Sequence, residues 1–475
     1  MIGLFFRTFQ IVERFDFAHD GDLYSWIVRD ILINHHPRLI GQLTSAPGIF
    51  IGPFFYYLLV PFFILTNMDP VGVLIPTTII GLLTIFSFYF VFSKLFNKDT
   101  GTIASFLYAV LIVTINSDRM VVPTITTSLW SVWYFYTIVL LTRGSFSILP
   151  ILGILIGLIW HVHIALIPTL LAIPFAFLIP KKLPSLKQLL ICIIALLIAS
   201  SPLIFFELRH NFSQTLSFIN NFTLPQNGQP TDFYKFKLVT EMVTKNLNAL
   251  LFSPQSFNIA NNIFFTLLIL LLPILAKATK SLKELIPLYA WILGVVLFFS
   301  ISKSPISEYY FSNLNVIFIG FVSLFFANIL KKNQVFLKIV MLLLFFIAFK
   351  NAVFYTKDIY HKGYLEKKAV VNSIKKDSTN KGYPCFGISY ITSPGENVGF
   401  RYLFYINNIN LTHPSLKVPV YNIIIPDELA KNEIDQKFGH IGLILPKGNF
   451  SKENLESTCA LNNTNLTDSL FGYVE

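Results

Sequence analysis

His19, Asp20 and Asp22 stand within four residues of one another, and Tyr24 follows two residues later. A carboxylate held beside an imidazole can take the proton of a hydroxyl group, the task of a general base. The same residues have a plainer use, because Asp at a helix N-terminus accepts from the first free backbone N–H groups. A divalent cation is possible here but not indicated, since a hard cation needs several more oxygens than an Asp-x-Asp pair supplies. No cofactor is called for. Farther along, Arg119, Arg209, Lys303 and Arg401 are cations that could meet a phosphate, and the arginine fork suits its oxygens best. Arg119, Arg209 and Lys303 can equally be helix-end anchors, and Arg401 reads as a surface residue. His161 and His163 close an apolar stretch, where a polar side chain marks either a substrate contact or interfacial packing. Glu308-Tyr309-Tyr310 favours an aromatic belt, and Gly153 with Gly157 favours helix packing.

The elements that position these groups lie in lipid. Hydrophobic residues make up 54% of the 475-residue chain and charged residues only 13%, too few to coat a soluble globule of this size. Apolar runs of spanning length lie near 71–93, 101–116, 123–142, 146–162, 164–180, 187–206, 259–276, 285–301, 311–330 and 335–354. The net charge of +11 does not point to nucleic acid, because the basic residues are spread over short loops and not gathered on one soluble face. Lys94 and Lys98, Arg143, Lys181, Lys182 and Lys187, Lys277, Lys280 and Lys283, and Lys331, Lys332 and Lys338 follow every second run. Cytoplasmic loops carry that pattern.

All five clusters share one side only if Gly48–Leu65, broken by Pro53 and Pro61, is a juxtamembrane segment and not a span. The loop 14–52, the loop 207–258 and the tail 355–475 then face outward. Leu23, Trp26, Ile27, Ile31 and Leu32 recur at helical spacing in the first of these, so an amphipathic helix on the membrane surface is expected there. In the tail, the runs Cys385–Thr392, Val418–Ile425 and Ile441–Leu445 predict strands of a small α/β or α+β domain. Cys385 and Cys459 are its only cysteines, and outside the cytoplasm either a bridge between them or two unpaired thiols fits the sequence.

Asp20 followed by Tyr24, then Leu39-Ile40-Gly41 and Pro47-Gly48-Ile49-Phe50-Ile51-Gly52-Pro53-Phe54-Phe55-Tyr56-Tyr57, then Arg119 with Pro123, His163, and Pro202 through Glu207-Leu208-Arg209-His210-Asn211-Phe212 occur in an order that resembles the GT-C type glycosyltransferases. That superfamily includes the protein O-mannosyltransferases of glycosyltransferase family 39 and the lipid A aminoarabinose transferases. Their acidic motif is often Asp-Glu with a Tyr four residues after the Asp, and here Gly21 stands in place of the Glu, leaving Asp22 as the substitute acid. The resemblance runs from about Phe15 to Phe222 and beyond that is architectural.

It implies a mainly α polytopic helix bundle over 1–354, with juxtamembrane helices in the first outward loop, and a small C-terminal extracytoplasmic domain over 355–475. It further implies an inverting transferase of the cell envelope, multi-pass in the cell membrane. The donor is a polyprenyl-phosphate-linked hexose or pentose, and the acceptor a hydroxyl of a protein, lipid or glycan. Asp20 and Asp22 become the catalytic pair, and His19, Tyr24, Arg119, His163, Arg209 and Lys303 the donor-phosphate or substrate contacts. The alternative is a polytopic transporter or a lipid or glycan flippase, which should carry paired halves and ionisable residues at mid-bilayer. A membrane scaffold is the third reading.

Overall fold

The computed structural model describes residues 1–223, 232–252, 259–275, 282–303, 305–330, 334–357, 359, 361–412, 414, 418–448, 450, 455 and 459. Lys277, Lys280, Lys331 and Lys332, and the end of the 207–258 loop, lie outside them. Among the described residues, five helices are long and apolar enough to cross a bilayer: Pro70–Leu95, Pro123–Thr142, Leu282–Ile301, Glu308–Ile329 and Val335–Tyr355. Two expected spans are bent pairs, Lys98–Val110 with Ile112–Arg119 at 65° and Leu186–Ala199 with Ser201–Arg209 at 63°. Three more, 146–162, 164–180 and 259–276, are the shorter apolar helices Phe146–Val162, Ile164–Leu178 and Asn261–Leu275. Gly153 and Gly157 let Leu186–Ala199 pack close, since a Cβ on Gly153 would stand 2.1 Å from the Cys192 carbonyl oxygen.

The first bend has an identifiable chemistry. Leu111 is extended (φ −74, ψ 132), and side chains meet the carbonyls freed just before it, as a helix in lipid demands. Arg7, on α1 (Ile2–Thr8), donates to Ala109 O at 2.7 Å and to Tyr108 O at 3.2 Å. Asn351 donates to Val110 O. Arg7 also pairs with Asp118 at 2.7 Å with both side chains buried, so α1 is locked across the broken helix.

Phe54–Leu65 is a 12-residue helix, α3, about 18 Å long at ~1.5 Å per residue against a hydrocarbon core of about 30 Å. At the end of the bundle away from α3, Arg143 ties three loops together, bonding Leu95 O at 2.8 Å and Glu284 at 2.9 Å. The loop 14–52, the start of the 207–258 loop and the tail meet at the other end. Gln214 accepts from Phe50 N at 2.6 Å, and Asn221 donates to Pro47 O at 2.8 Å.

The tail holds a four-stranded sheet in the order β1-β2-β4-β3: β1 Gly387–Thr392, β2 Val420–Ile425, β3 Gln436–Phe438 and β4 Ile441–Ile444. β1 pairs with β2 in parallel and β4 pairs with both β2 and β3 antiparallel. Three strands fall on the expected runs, and short β3 is the addition. Cys385 and Cys459 are joined by a disulfide.

The expected surface helix exists as α2, His19–Ile33, but its apolar stripe does not face lipid. Trp26, Ile27 and Val28 are buried in one core with Phe55 and Phe63 of α3 and with Phe400, Tyr402, Phe404 and Tyr421 of the tail. A helical stripe of apolar residues calls for a dry partner without saying whether lipid or protein supplies it. Here the tail does.

Candidate active site

The segment 15–18 runs along the base of the tail and turns into α2 at His19. The N-cap of α2 is Ala18, which offers no side-chain bond, so neither acid is spent capping its own helix. Asp20 Oδ1 instead accepts from Gln42 Nε2 at 3.0 Å. The Gln42 side-chain oxygen accepts from the Tyr56 hydroxyl at 3.0 Å, and that hydroxyl accepts from Gln42 N, also at 3.0 Å. A phenol on α3 therefore sets an amide, and the amide sets the carboxylate, which leaves Oδ2 toward open space.

That space consists of two cavities sharing Asp20 as a wall. The larger, about 630 Å³, is lined by Glu13, Asp16, His19 and Asp20 together with Arg14, Arg119 and Lys362. The smaller, about 300 Å³, is lined by Asp20, Gln42, Ser45, Ser117, His163 and Tyr309 among others. In the smaller, His163 Nδ1 accepts from Ala165 N at 3.0 Å, which places the ring proton on Nε2. The Tyr309 ring meets the His163 ring edge-on at 5.4 Å.

The cations of the larger cavity present charge more than free donors. Arg119 donates to Phe6 O and Phe9 O at 2.9 Å, and Arg14 to Tyr355 O at 2.6 Å and Lys357 O at 2.9 Å. Both guanidinium groups lie against the Tyr355 ring, at 5.6 and 5.4 Å. Lys362 pairs with Glu396 at 2.7 Å. About three turns into α2, Asp30 holds the corner that leads to Gln42, pairing with Arg38 at 2.7 Å. Burial works to raise the Asp30 carboxyl, but bonds from Asn34 and His36 and the Arg38 charge outweigh it and hold it below its usual range.

Of the residues singled out in the sequence, His19, Asp20, Arg119 and His163 come together around these cavities. Asp22 does not. It is fully buried, and its Oδ1 accepts from Tyr402 N at 2.8 Å, capping the tail helix Arg401–Ile406, because a helix start has N–H groups to satisfy. In this structure its side chain ties α2 to the tail. Tyr24 is likewise a core residue, edge-on to Phe55 and Phe63 at 6.2 and 6.4 Å. Burial, with Asp20, Asp22 and Asp16 adding to it, pushes the Tyr24 phenol well above its usual value. Arg209 is exposed at a helix end, and Arg209 and Lys303 line neither cavity. His161 bonds Ala199 O at 3.0 Å and packs on Gly52, a structural pin. Asp16, Arg14, Gln42, Tyr56 and Lys362 were missed. Gln42 and Tyr56 fall beside or inside motifs already noted, whereas nothing local marks Lys362.

Among the described residues, the group of three acids or imidazoles able to share an ion is Asp427, Glu428 and His440, in the tail. Lys437 already pairs with Asp427 at 2.5 Å. His19, Asp16 and Asp20 form no such group.

The chain aligns in structure with ArnT from Cupriavidus metallidurans bound to undecaprenyl phosphate, with a TM-score of 0.57 and 11% identity over 93% of this chain and 96% of that one. The two chains share a fold. The oligosaccharyltransferase of Archaeoglobus fulgidus, solved with Zn and sulfate, aligns with a TM-score of 0.51 and 12% identity over 90% of this chain and 67% of that one. Residues 47–205 of this chain match the family described as dolichyl-phosphate-mannose-protein mannosyltransferase. That match holds Tyr56, Arg119 and His163 and begins after Asp20. No curated protein matches the chain in sequence.

Proposed function

We propose that this chain is a glycosyltransferase that moves a sugar from a polyprenyl-phosphate carrier to an acceptor hydroxyl, by single displacement with inversion, on the extracytoplasmic face. One observation carries the reading: a carboxylate with one oxygen fixed by Gln42 forms the shared wall of a smaller polar cavity and a larger one into which Arg14, Arg119 and Lys362 bring positive charge beside the acids Glu13 and Asp16. The larger cavity takes the sugar phosphate and the smaller one the acceptor. Asp20 takes the proton of the acceptor hydroxyl, whose oxygen attacks the anomeric carbon as the bond from that carbon to the phosphate oxygen breaks. The negative charge gathering on the departing phosphate meets the field of Arg14, Arg119 and Lys362, stabilisation laid down before the reaction begins. Because attack and departure use opposite faces of the sugar, the product is inverted. Tyr309 and the His163 N–H are placed to orient the acceptor.

The carrier's tail has a place to lie. An apolar groove of about 760 Å³ runs between α1, the helix Lys98–Val110 and the helix Gln334–Tyr355. Its lining from Val340 to Ala352 covers roughly 18 Å at ~1.5 Å per residue. Ala352 lies one turn before Tyr355, which lines the larger cavity, so the groove leads to the cations. The undecaprenyl phosphate in the ArnT neighbour is a ligand of that shape. Sidedness rests on the basic loops lying at the opposite end of the bundle and on the disulfide in the tail, a bond that persists outside the cytoplasm.

The test is label transfer from a panel of polyprenyl-phosphate sugars in membranes holding the wild-type chain or Asp20→Asn. The variant keeps size and hydrogen bonding and should lose roughly 10²–10⁴ in rate. Transfer at a near-normal rate by Asp20→Asn removes the base from this scheme.

A further inference from the structure

The stretch from Phe15 to Asp22 is tied to the tail by three bonds. Tyr364 N donates to Phe15 O at 2.9 Å, Lys367 Nζ to Phe17 O at 2.8 Å, and Tyr402 N to Asp22 Oδ1 at 2.8 Å. The first and third use backbone donors that almost any residue supplies. The second alone depends on a side chain of the tail. Lys367 is only 4% exposed, and its ammonium also donates to Val398 O at 2.9 Å and lies 5.4 Å from the centre of the Phe400 ring. Gly399 brings the same tail loop onto the stretch, for at its φ of +83 a Cβ would stand 2.2 Å from Phe17 O.

Among the described residues no carboxylate comes within ion-pair distance of Lys367. A buried ammonium without such a partner is costly, and an apolar side chain of the same length would fill the space more cheaply. What the lysine supplies is direction, because two carbonyls from different parts of the chain converge on one atom. Phe17 O belongs to the peptide just ahead of the first turn of α2. A rotation of that peptide swings His19 and Asp20 together.

We propose that Lys367 is a positioning residue for the transfer: by holding Phe17 O against the tail it fixes where α2 begins, and so where the Asp20 carboxylate points. The proposal rests on the reading of Asp20 as the base. It makes the tail a working part of the active site, with the loop 398–400 as the backing of the catalytic turn. Displacement of a catalytic group by about 1 Å is enough to cost on the order of 100-fold in rate.

The test compares Lys367→Met, Lys367→Arg and Asp20→Asn in purified full-length protein, reading kcat, donor KM and the thermal midpoint. Lys367→Met should lower kcat by roughly 10- to 100-fold with donor KM changed less than about threefold, and Lys367→Arg, which can reach both carbonyls, should recover most of the loss. An unchanged kcat in Lys367→Met, with Asp20→Asn inactive, overturns the positioning role alone. A loss in which kcat, KM and thermal midpoint all worsen together, with no recovery by arginine, also overturns it in favour of a purely structural lysine. A near-normal Asp20→Asn overturns the reading of the base and this proposal with it.

Discussion

Replacing Gln42 by Leu tests the relay that aims the carboxylate. The change keeps the side chain's bulk but removes the donor 3.0 Å from Asp20 Oδ1 and the acceptor for the Tyr56 hydroxyl. A hydrogen bond to a charged group contributes about 1.5–3 kcal/mol, and since Asp20 is half-exposed the lower figure applies. At ~1.36 kcal/mol per tenfold in rate, kcat should fall about tenfold. Tyr56→Phe removes the two neutral bonds behind Gln42, one to its side-chain oxygen and one from its backbone N–H, but leaves the donor to Asp20 in place, so its loss should stay within about fivefold. Both sit above Asp20→Asn, and the expected order of rates is Tyr56→Phe, then Gln42→Leu, then Asp20→Asn. Initial rates of label transfer at saturating donor measure the order. Gln42→Leu running at the wild-type rate, or Tyr56→Phe running slower than Gln42→Leu, would refute the relay.

Ala352→Trp fills the apolar groove beside Tyr355, and should raise donor KM about tenfold while leaving kcat within about twofold, read as rate against carrier concentration. A thiol placed at exposed Leu429 should be labelled from outside intact cells and one at exposed Leu183 should not; the opposite pattern inverts the topology. Lys367 predicts a pH effect whose sign follows from its surroundings. Burial pulls its ammonium from 10.5 to about 8, against the pull of Asp16, Asp22 and Glu396 and with help from Lys362. Between those two values the unfolded chain holds a proton the folded chain has lost, so this group's contribution to stability rises with pH, by at most about 1.4 kcal/mol per pH unit. The thermal midpoint of the wild type should therefore gain on that of Lys367→Met as pH is raised from 8 to 10.

The bundle was legible in the sequence because lipid demands unbroken apolar runs, and the lysine clusters mark which ends share a side. Asp20 was legible because its chemistry and spacing are local. Asp22 read as the substitute acid and Tyr24 as a substrate contact, yet the fold turns Asp22 to the start of a helix 380 residues away and buries Tyr24 in the core. The stripe on α2 signalled burial without naming the burying surface, and the tail supplied it through Tyr402 and Tyr405, the rings against Trp26 at 5.6 and 4.9 Å. Lys362 and Lys367 were out of reach for the same reason. They are two of many lysines in a polar helix region, and only the fold brings them to the catalytic turn.

The broken helix Lys98–Arg119 also fixes an order of events during biogenesis. Its bend at Leu111 frees carbonyls that are met by Arg7 from behind and by Asn351 from ahead, and Asn351 comes 241 residues after Val110. At ~5–20 residues per second of synthesis, the ribosome needs on the order of 10–50 s to deliver that partner. Until then the nascent segment must stay straight in the membrane or keep Val110 O in contact with water, and the permanent bend waits for the last span to be inserted. A chain truncated before Asn351 would consequently integrate most of its helices and still lack the bend that carries Asn116 and Arg119 to the wall of the larger cavity.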